Sequence, residues 1–325
     1  MTQTPLLKIS DLHLRFKLFE GVSHVLAGVN LEVHRGERVA IVGESGCGKS
    51  VTLRLILGLL RGNNIKISGK IEFDDLEINT ASDHELREIR GRRIGTIFQD
   101  PMASLNPTFT ILDQMGAVIR RGEPKISKAA LLERARHALS QVAINDPERV
   151  LEAYPFQLSG GLNQRVLIAM ALVNQPELVL ADEPGTALDV TVQEQTLRLM
   201  RELTQNMNSA VLLITHNLGV VREFADRVYV MYAGSVVEEA NTTELFSNPK
   251  HPYTRALLES VPKLTGTNLP QGIDGFVPDY TKPPSGCRFH PRCSQAIQAC
   301  QTLPPLLEVA RGHKVACVIY EGAST

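Results

Sequence analysis

One stretch of eight residues, GESGCGKS at positions 43–50, restricts the fold of this chain more than any other part of the sequence. It matches the pattern G-x-x-x-x-G-K-[ST], which binds the phosphates of a nucleotide. The apolar run Arg38–Val42 before it predicts a buried strand, and the apolar density of Val51–Leu60 after it predicts a core-packed helix. A chance glycine-rich turn would lack such neighbours, so we expect a strand, a phosphate-binding loop and a helix in succession.

The residue types in this loop suit phosphate chemistry. Glycines let backbone N–H groups turn inward as an anion nest, and the N-terminus of the following helix adds its partial positive charge. We expect Lys49 to reach the β- and γ-phosphates and the Ser50 hydroxyl to bind Mg²⁺, whereas Cys47 fills a position that any residue can take. The residues predicted to contact the nucleotide here are Gly43, Glu44, Ser45, Gly46, Cys47, Gly48, Lys49, Ser50 and Val51.

Two acidic residues follow a second apolar run, Leu178–Ala181, which predicts a central strand. We expect Asp182 to hold Mg²⁺ directly or through water, and Glu183 to polarise the water that attacks the γ-phosphate, which hydrolysis requires. An acidic strand end facing solvent is the plain alternative. A third predicted strand, in AVLLITH, ends at His216, which is either a γ-phosphate sensor or an ordinary strand-end histidine.

Composition excludes several classes of partner and location. The formal net charge of −1 over 325 residues gives no basic field for nucleic acid or for an acidic membrane surface. The N-terminal segment lacks the features of a secretory signal, and no run approaches the roughly 20 apolar residues of a membrane-spanning helix. We therefore expect a soluble, cytosolic protein, in which disulfides are rare.

Three further motifs resemble those of the ABC ATPases. LSGGLNQR at 158–165 resembles the signature motif of that family, IFQD with Gln99 resembles its Q-loop, and ALD at 187–189 resembles its D-loop. The resemblance implies an α/β fold over residues 1–245: a P-loop ABC nucleotide-binding domain with a mixed sheet core, an antiparallel β-subdomain and a helical subdomain at about residues 100–165. The helical spacing of KAALLERARHALSQVAI agrees with that subdomain.

The same resemblance assigns further site residues. Each ATP would lie between the phosphate loop of one subunit and the signature motif of another, so the chain must dimerise with itself or with a homologue. It implies that Gln99 takes part in Mg²⁺ binding and catalysis, and that Phe16 stacks on adenine, although a strand-core phenylalanine is an equal alternative. The signature and D-loop residues expected to contact ATP are Ser159, Gly160, Gly161 and Asp189.

Two positions depart from the common pattern of the family. Gly185 stands in DEPGTALD where relatives usually have Thr, and Asn217 follows His216 where they usually have Asp. Neither replaces a residue assigned to chemistry. Because Gly185 loosens the backbone after Glu183, slower or altered hydrolysis is one expected consequence.

The segment at residues 246–325 forms a C-terminal extension. NPKHPYTRALLESVP at 248–262 resembles the C-terminal extension of peptide and nickel importer ATPases, with His251, Pro252 and Tyr253 as its most recognisable triplet. Residues 266–286 are rich in Gly and Pro and poor in apolar residues, which predicts an irregular appendage held by something other than burial.

Four of the five cysteines lie in the last forty residues, at Cys287, Cys293, Cys300 and Cys317. They are free core thiols, a Cys₄ zinc site or a Cys₄ iron–sulfur cluster, and their spacing matches neither a zinc knuckle nor a ferredoxin. CRFHPRC resembles the start of the cysteine-bearing tail of dipeptide and oligopeptide importer ATPases. This resemblance implies a [4Fe–4S] cluster rather than Zn²⁺. His290 and His313 are expected to be ordinary surface residues.

Together these features predict the ATPase subunit of an ABC importer, which couples ATP hydrolysis to the uptake of a di- or oligopeptide or a similar solute. The implied partners are a second ATPase, two membrane permease subunits and an extracytoplasmic solute-binding protein, at the cytoplasmic face of the bacterial inner membrane. Two rivals are a soluble ABC ATPase of DNA repair or translation and a nucleotide-regulated redox or metal sensor. The sequence leaves open the solute and the identity of the ATPase partner.

Overall fold

The structure is a computed structural model that describes residues 4–185, 190–261 and 272–321. Twelve strands fall within these ranges. They are β1 (Leu7–Leu18), β2 (Gly21–Val33), β3 (Arg38–Val42), β4 (Ile65–Phe73), β5 (Leu76–Glu77), β6 (Ile94–Ile97), β7 (Leu178–Asp182), β8 (Ala210–Ile214), β9 (Arg227–Tyr232), β10 (Ser235–Asn241), β11 (Leu307–Ala310) and β12 (His313–Val315).

Eleven α-helices lie in the same described part of the chain. They are α1 (Lys49–Ile56), α2 (Asp83–Ile89), α3 (Pro101–Ser104), α4 (Ile111–Gly122), α5 (Lys128–Gln141), α6 (Pro147–Glu152), α7 (Gly160–Leu172), α8 (Val190–Asn206), α9 (Leu218–Phe224), α10 (Thr242–Ser247) and α11 (Pro252–Glu259). Several begin at the hydroxyl caps that their sequences supply. Thr110, for example, forms a capping box with Asp113 at the start of α4.

The chain divides into two compact units. The first unit is built from Met1–Leu6, Val33–Arg38 and Thr80–Leu213, and the second from Leu7–Glu32, Val39–Asn79 and Ile214–Thr325. The phosphate loop and the C-terminal extension therefore belong to the second unit, whereas the acidic pair at the end of β7 and the signature motif belong to the first.

In the first unit, β6 and β7 pair in parallel, with Ile94 opposite Leu178 and Ile97 opposite Ala181. β8 lies on the other side of β7. All five residues of β7 are buried, as expected for a parallel strand that is covered on both faces. The sequence between β6 and β7 forms the helices α3 to α7, where α5 occupies the segment predicted as helix.

The second unit contains two sheets. One is antiparallel and runs β2-β1-β4-β5, with Leu7 of β1 opposite Phe73 of β4. In the other, β3 and β9 are parallel, with Val39 opposite Arg227, whereas β10 pairs antiparallel with both β9 and β12. This second sheet is therefore mixed, as predicted.

The core of the second unit includes residues of the C-terminal extension. Phe289 is 3% exposed and belongs to the same buried cluster as Val42, Tyr232 and Tyr253. The rings of Tyr232 and Phe289 meet edge-on at 5.1 Å between centroids. Residues 272–286, the described part of the segment expected to be held by something other than burial, also pack here, since Ile273, Val277 and Tyr280 are partly buried against this cluster. That expectation is therefore wrong in part.

Candidate functional site

The phosphate loop joins β3 to α1 in the second unit. β3 has the predicted bounds, but α1 runs from Lys49 to Ile56 rather than from Val51 to Leu60. The helix starts earlier because the Gly48 carbonyl already accepts from the Thr52 N–H at 3.0 Å, and it ends where Leu57 caps the last turn. The loop therefore leads directly into a helix N-terminus, where backbone N–H groups can meet an anion.

The glycines at the two ends of the loop are required by its backbone. Gly43 has φ +152°, and a Cβ built there would lie 2.1 Å from the Met231 carbonyl oxygen. Gly48, the N-cap of α1, has φ +107°, and a Cβ would lie 2.7 Å from a methyl group of Leu26. A side chain at either position would thus displace the loop from its neighbours.

Lys49 is 6% exposed and its ammonium group lies against the loop. Its Nζ donates to the carbonyl oxygens of Gly43 at 2.8 Å and Glu44 at 3.0 Å. The Cys47 thiol lies 3.8 Å from the same Nζ, is 1% exposed, and has its pKa raised by burial. Cys47 is therefore an inert packing residue of the loop, consistent with a position that needs no chemistry.

The other predicted nucleotide contacts differ in exposure. Ser50 and Val51 are half-buried in the first turn of α1, whereas Ser45 and Gly46 are exposed. Phe16, near the end of β1, is partly buried and opposite Ile65 of β4. Its partial exposure leaves one part of the ring open to a planar ligand.

β8 ends at Ile214, two residues before the predicted end at His216, and His216 is exposed. Asn217 is the N-cap of α9, where its Oδ1 accepts from the N–H groups of Gly219 at 3.0 Å and Val220 at 3.3 Å. Asn and Asp cap helices about equally well, so this departure from the family pattern has a structural explanation.

In the first unit, the Q-loop glutamine and the acidic pair meet. Gln99 Nε2 donates to Glu183 Oε2 at 3.3 Å, and Asp182 ends β7 with 8% exposure. Glu183 itself has φ +46°, a left-handed conformation that is uncommon for a residue with a side chain. Such local strain is often found at functional sites. Glu183 is thus held in an unusual conformation at the end of a buried strand.

Gly185 also has a left-handed backbone, with φ +92°. A Cβ there would lie 3.2 Å from Cγ of Gln193 on α8. The glycine therefore fits a conformation that threonine rarely adopts. The D-loop residue Asp189 lies outside the described residues.

The signature motif forms the start of α7. Ser159 is the N-cap and its Oγ accepts from the Leu162 N–H at 3.3 Å. Ser159 and Gly160 are exposed, whereas Asn163 is fully buried and its Nδ2 donates to the Pro155 carbonyl at 2.9 Å. The buried Asn163 thus holds the start of α7 in place, and the exposed N–H groups at this helix N-terminus are suited to binding an anion.

The four C-terminal cysteines line one small cleft together with Phe289 and His290. Burial, with a smaller contribution from the thiols of Cys300, Cys317 and Cys293, raises the pKa of the Cys287 thiol to about 11. Within residues 4–185, 190–261 and 272–321, however, no three His, Cys, Asp or Glu side chains are placed to hold a metal ion. The structure therefore brings the thiols to one place without forming a metal site.

The expectation that His313 is a surface residue is wrong. His313 on β12 is 1% exposed, and its Nε2 lies 2.7 Å from Oε1 of Glu238 on β10, which is fully buried. The Glu238 carboxylate, which is distant in sequence only, is the hydrogen-bond partner that offsets the cost of burying the imidazole. His290 is partly buried, with its Nδ1 2.9 Å from the Cys287 carbonyl oxygen.

The sequence did not identify the residues of the C-terminal extension that contact the phosphate loop. Arg292 forms an ion pair with Glu44, the Tyr253 hydroxyl accepts from the Glu44 N–H, and the Tyr280 hydroxyl donates to the Gly46 carbonyl. The only available signals were the HPY triplet, which contains Tyr253, and the second arginine of CRFHPRC, Arg292.

The fold and the phosphate loop define an ATPase of the ABC type, and comparison with known proteins agrees. Residues 26–186 match the ABC transporter family and residues 237–300 match the oligopeptide/dipeptide transporter C-terminal region. A dimeric ATP-binding cassette solved in a post-hydrolysis state with ADP and Pi is 33% identical, with a TM-score of 0.65 over 73% of this chain and 98% of that one.

Relatives that align over nearly their whole length identify the family more closely. The chain is 48% identical to a probable peptide ABC transporter ATP-binding protein of Sinorhizobium fredii, over 96% of this chain and 94% of the relative. It is 45% identical to the dipeptide transport ATP-binding protein DppD of Bacillus subtilis, over 96% and 93%. The chain belongs to the family of peptide ABC transporter ATP-binding proteins, the subunits in which ATP hydrolysis is coupled to transport. No helix in the described ranges is long and apolar enough to cross a bilayer.

Proposed function

We propose that this protein hydrolyses ATP with the residues assigned above and thereby drives the import of a di- or oligopeptide. The observation that carries the proposal is the contact between Gln99 and Glu183, at 3.3 Å, beside the buried Asp182. A glutamate fixed at a strand end next to a glutamine amide is suited to orienting a water for attack on a γ-phosphate. Nucleotide binding alone would not need this arrangement.

The chain's own residues would divide the remaining work. The loop N–H groups and the N-terminus of α1 would bind the phosphates, and Lys49 would exchange its bonds to the loop carbonyls for bonds to phosphate oxygens. Ser50, Gln99 and Asp182 each offer a hard oxygen ligand of the kind that Mg²⁺ prefers, and His216 would sense the γ-phosphate. Bound Mg²⁺ would neutralise phosphate charge.

A first experiment compares the ATPase rate of the purified transporter complex with that of its Glu183→Gln form. We expect the rate to fall by about 10² to 10⁴, because a positioned general base contributes this much. Nucleotide affinity should be kept by Glu183→Gln and lost by Lys49→Ala. The proposal would fail if the complex hydrolysed no more ATP than the Glu183→Gln form.

The proposed partners follow from the family and from the exposed signature motif. ABC ATPases dimerise and work with membrane permeases, so Ser159 and Gly160, both exposed, would complete the ATP site of a second ATPase subunit. We expect ATP to convert the Glu183→Gln form to a dimer in light scattering. If it stays monomeric alone but dimerises with a homologous subunit, the native pair is a heterodimer. A solute-binding protein and a position at the inner membrane surface are part of the same proposal.

The match of residues 237–300 to a peptide-transporter region supports the peptide substrate, as do the names of the relatives. It also supports a boundary near residue 245 between an ATPase domain and its C-terminal extension. The rival functions in DNA repair, translation or sensing have no comparable support. Import of a radiolabelled dipeptide by the reconstituted complex, with and without solute-binding protein, tests the substrate class.

For the cysteines we propose a [4Fe–4S] cluster, with Zn²⁺ as the alternative. The four thiols line one cleft, which brings together the Cys₄ ligand set that such a cluster needs. The resemblance of CRFHPRC to the tail of dipeptide and oligopeptide importer ATPases supports iron–sulfur rather than zinc. Iron, sulfide and zinc analysis of protein purified without air tests it: about four irons and four sulfides per chain support the cluster, and zinc alone or no metal contradicts it.

A further inference from the structure

The C-terminal extension holds the phosphate loop at two of its residues. The guanidinium group of Arg292 donates to both carboxylate oxygens of Glu44, at 2.8 and 3.1 Å. The Tyr253 hydroxyl accepts from the Glu44 N–H at 2.9 Å, and the Tyr280 hydroxyl donates to the Gly46 carbonyl at 2.7 Å. Both the side chain and the backbone of Glu44 are therefore fixed by residues far away in the sequence.

Arg292 is itself held in place. Its side chain is 5% exposed, and it also donates to the Asp274 carbonyl at 2.7 Å, the Ile273 carbonyl at 2.9 Å and the Tyr232 hydroxyl at 3.2 Å. A bidentate pair between arginine and carboxylate adds geometric definition as well as energy. Arg292 is thus a rigid anchor for Glu44 rather than a mobile surface charge.

The position of Glu44 matters for phosphate binding. The carbonyl oxygens of Gly43 and Glu44 are the two that accept from Lys49 Nζ, so the orientation of these peptide groups also sets the position of the ammonium group. An anion nest binds well only when its N–H groups already converge, because ordering them on binding reduces affinity. An anchor on Glu44 can therefore raise ATP affinity without touching ATP.

The same short segment also forms the cysteine cleft. Arg292 precedes Cys293, and Phe289, which packs against Tyr232 and Tyr253, lies between Cys287 and Arg292. A change that shifts this segment at the cleft would shift the guanidinium group as well.

We propose that Arg292 is a positioning residue for ATP, and that its bond to Glu44 couples the phosphate loop to the cysteine cleft. The inference rests on the proposed role of the loop in ATP binding. Coupling between two sites is reciprocal. The state of the cleft therefore changes ATP affinity, and ATP changes the accessibility of the cysteines.

The test compares Arg292→Gln, Glu44→Gln and the double variant in the purified complex. We expect KM for ATP to rise at least about tenfold in each single variant, the effect of losing one bond between charged groups, with kcat nearly unchanged. The double variant should lose no more than either single variant. Arg292→Lys, which keeps one charged bond, should be intermediate, and Arg311→Gln, an exposed arginine of the same extension, should match the wild type.

A second readout follows the cleft directly. The rate at which N-ethylmaleimide labels Cys287 and Cys293, measured by mass spectrometry in the presence of a chelator of iron and zinc so that any bound metal is first removed, should change on adding ATP to the wild type. It should not change in Arg292→Gln, because the connection to the loop is lost. A purely structural role of Arg292 would alter labelling with and without ATP alike.

Two results overturn the inference: an unchanged KM in Arg292→Gln, or labelling that responds to ATP equally in both proteins. If Lys49→Ala still abolishes ATP binding in that case, the proposed function stands. If the wild type itself binds no ATP, the proposed function fails first. Should Arg292→Gln not fold, Glu44→Gln decides, because it leaves the other three partners of Arg292 in place.

Discussion

Two neighbouring pairs between β10 and β12 should differ sharply in their contribution to stability. His313 and Lys314 on β12 pair with Glu238 and Glu239 on β10, at 2.7 Å and 3.1 Å. The first pair is buried, with side chains 1% and 0% exposed, whereas the Lys314 side chain is 41% exposed. We predict that His313→Ala destabilises the second unit strongly and that Lys314→Ala does not.

The magnitude follows from what each substitution leaves behind. Burial raises the pKa of Glu238, but hydrogen bonds from His313 and from the backbone N–H groups of Lys250 and His251 outweigh it and lower the pKa overall, so the carboxylate is charged. Leaving a buried charged group without its partner typically costs about 3–5 kcal/mol. An exposed pair contributes about 0–1 kcal/mol, and Glu239 would keep Arg227 as its partner at 2.6 Å. The two variants should therefore differ by at least about 2 kcal/mol.

Because the chain has no tryptophan, urea unfolding at pH 7.5 is best followed by circular dichroism. Limited proteolysis of residues 272–321 in native conditions gives a local readout of whether the extension has detached. We expect faster cleavage there in His313→Ala only. Equal unfolding midpoints for the two variants, or a His313→Ala protein as stable as the wild type, would refute the conclusion that the buried Glu238 carboxylate depends on His313.

Three further predictions concern pH and the loops. Burial lowers the pKa of His251 from 6.5 to about 4, so the folded protein binds this proton less readily than the unfolded chain. The free energy of unfolding therefore has its full value above pH 6.5 and falls by about 3 kcal/mol as the pH drops from 6.5 to 4. Urea unfolding should show a smaller loss over this range in His251→Asn. Gly43→Ala should weaken ATP binding by more than about tenfold in equilibrium titration, since its Cβ would meet a carbonyl oxygen at 2.1 Å; unchanged affinity would contradict the close approach. Gly185→Thr should slow ATP hydrolysis by the complex, because its left-handed φ of +92° costs a side chain about 1–3 kcal/mol; an equal or faster rate would show that the glycine is not required.

The parts of the site that the sequence predicted are contiguous in the chain. The pattern of residues 43–50 specifies a loop between a strand and a helix, because its glycines and its lysine interact with residues close by in the sequence. The preceding strand, β3, has the predicted bounds. The apolar run before Asp182 likewise predicted β7. The end of α1 was missed, since apolar density continues to Leu60 while the last helical bond is the one from the Leu57 N–H to the Leu53 carbonyl.

By itself, then, the sequence determined the phosphate loop, the strand that carries the acidic pair and the family, because these depend on local order and spacing. Only the tertiary structure decided that His313 is buried and that Arg292 forms an ion pair with Glu44, 248 positions away in the sequence. The reason is physical: whether a polar side chain can be buried depends on the partner that it meets, and no local pattern records a partner on a distant strand or loop.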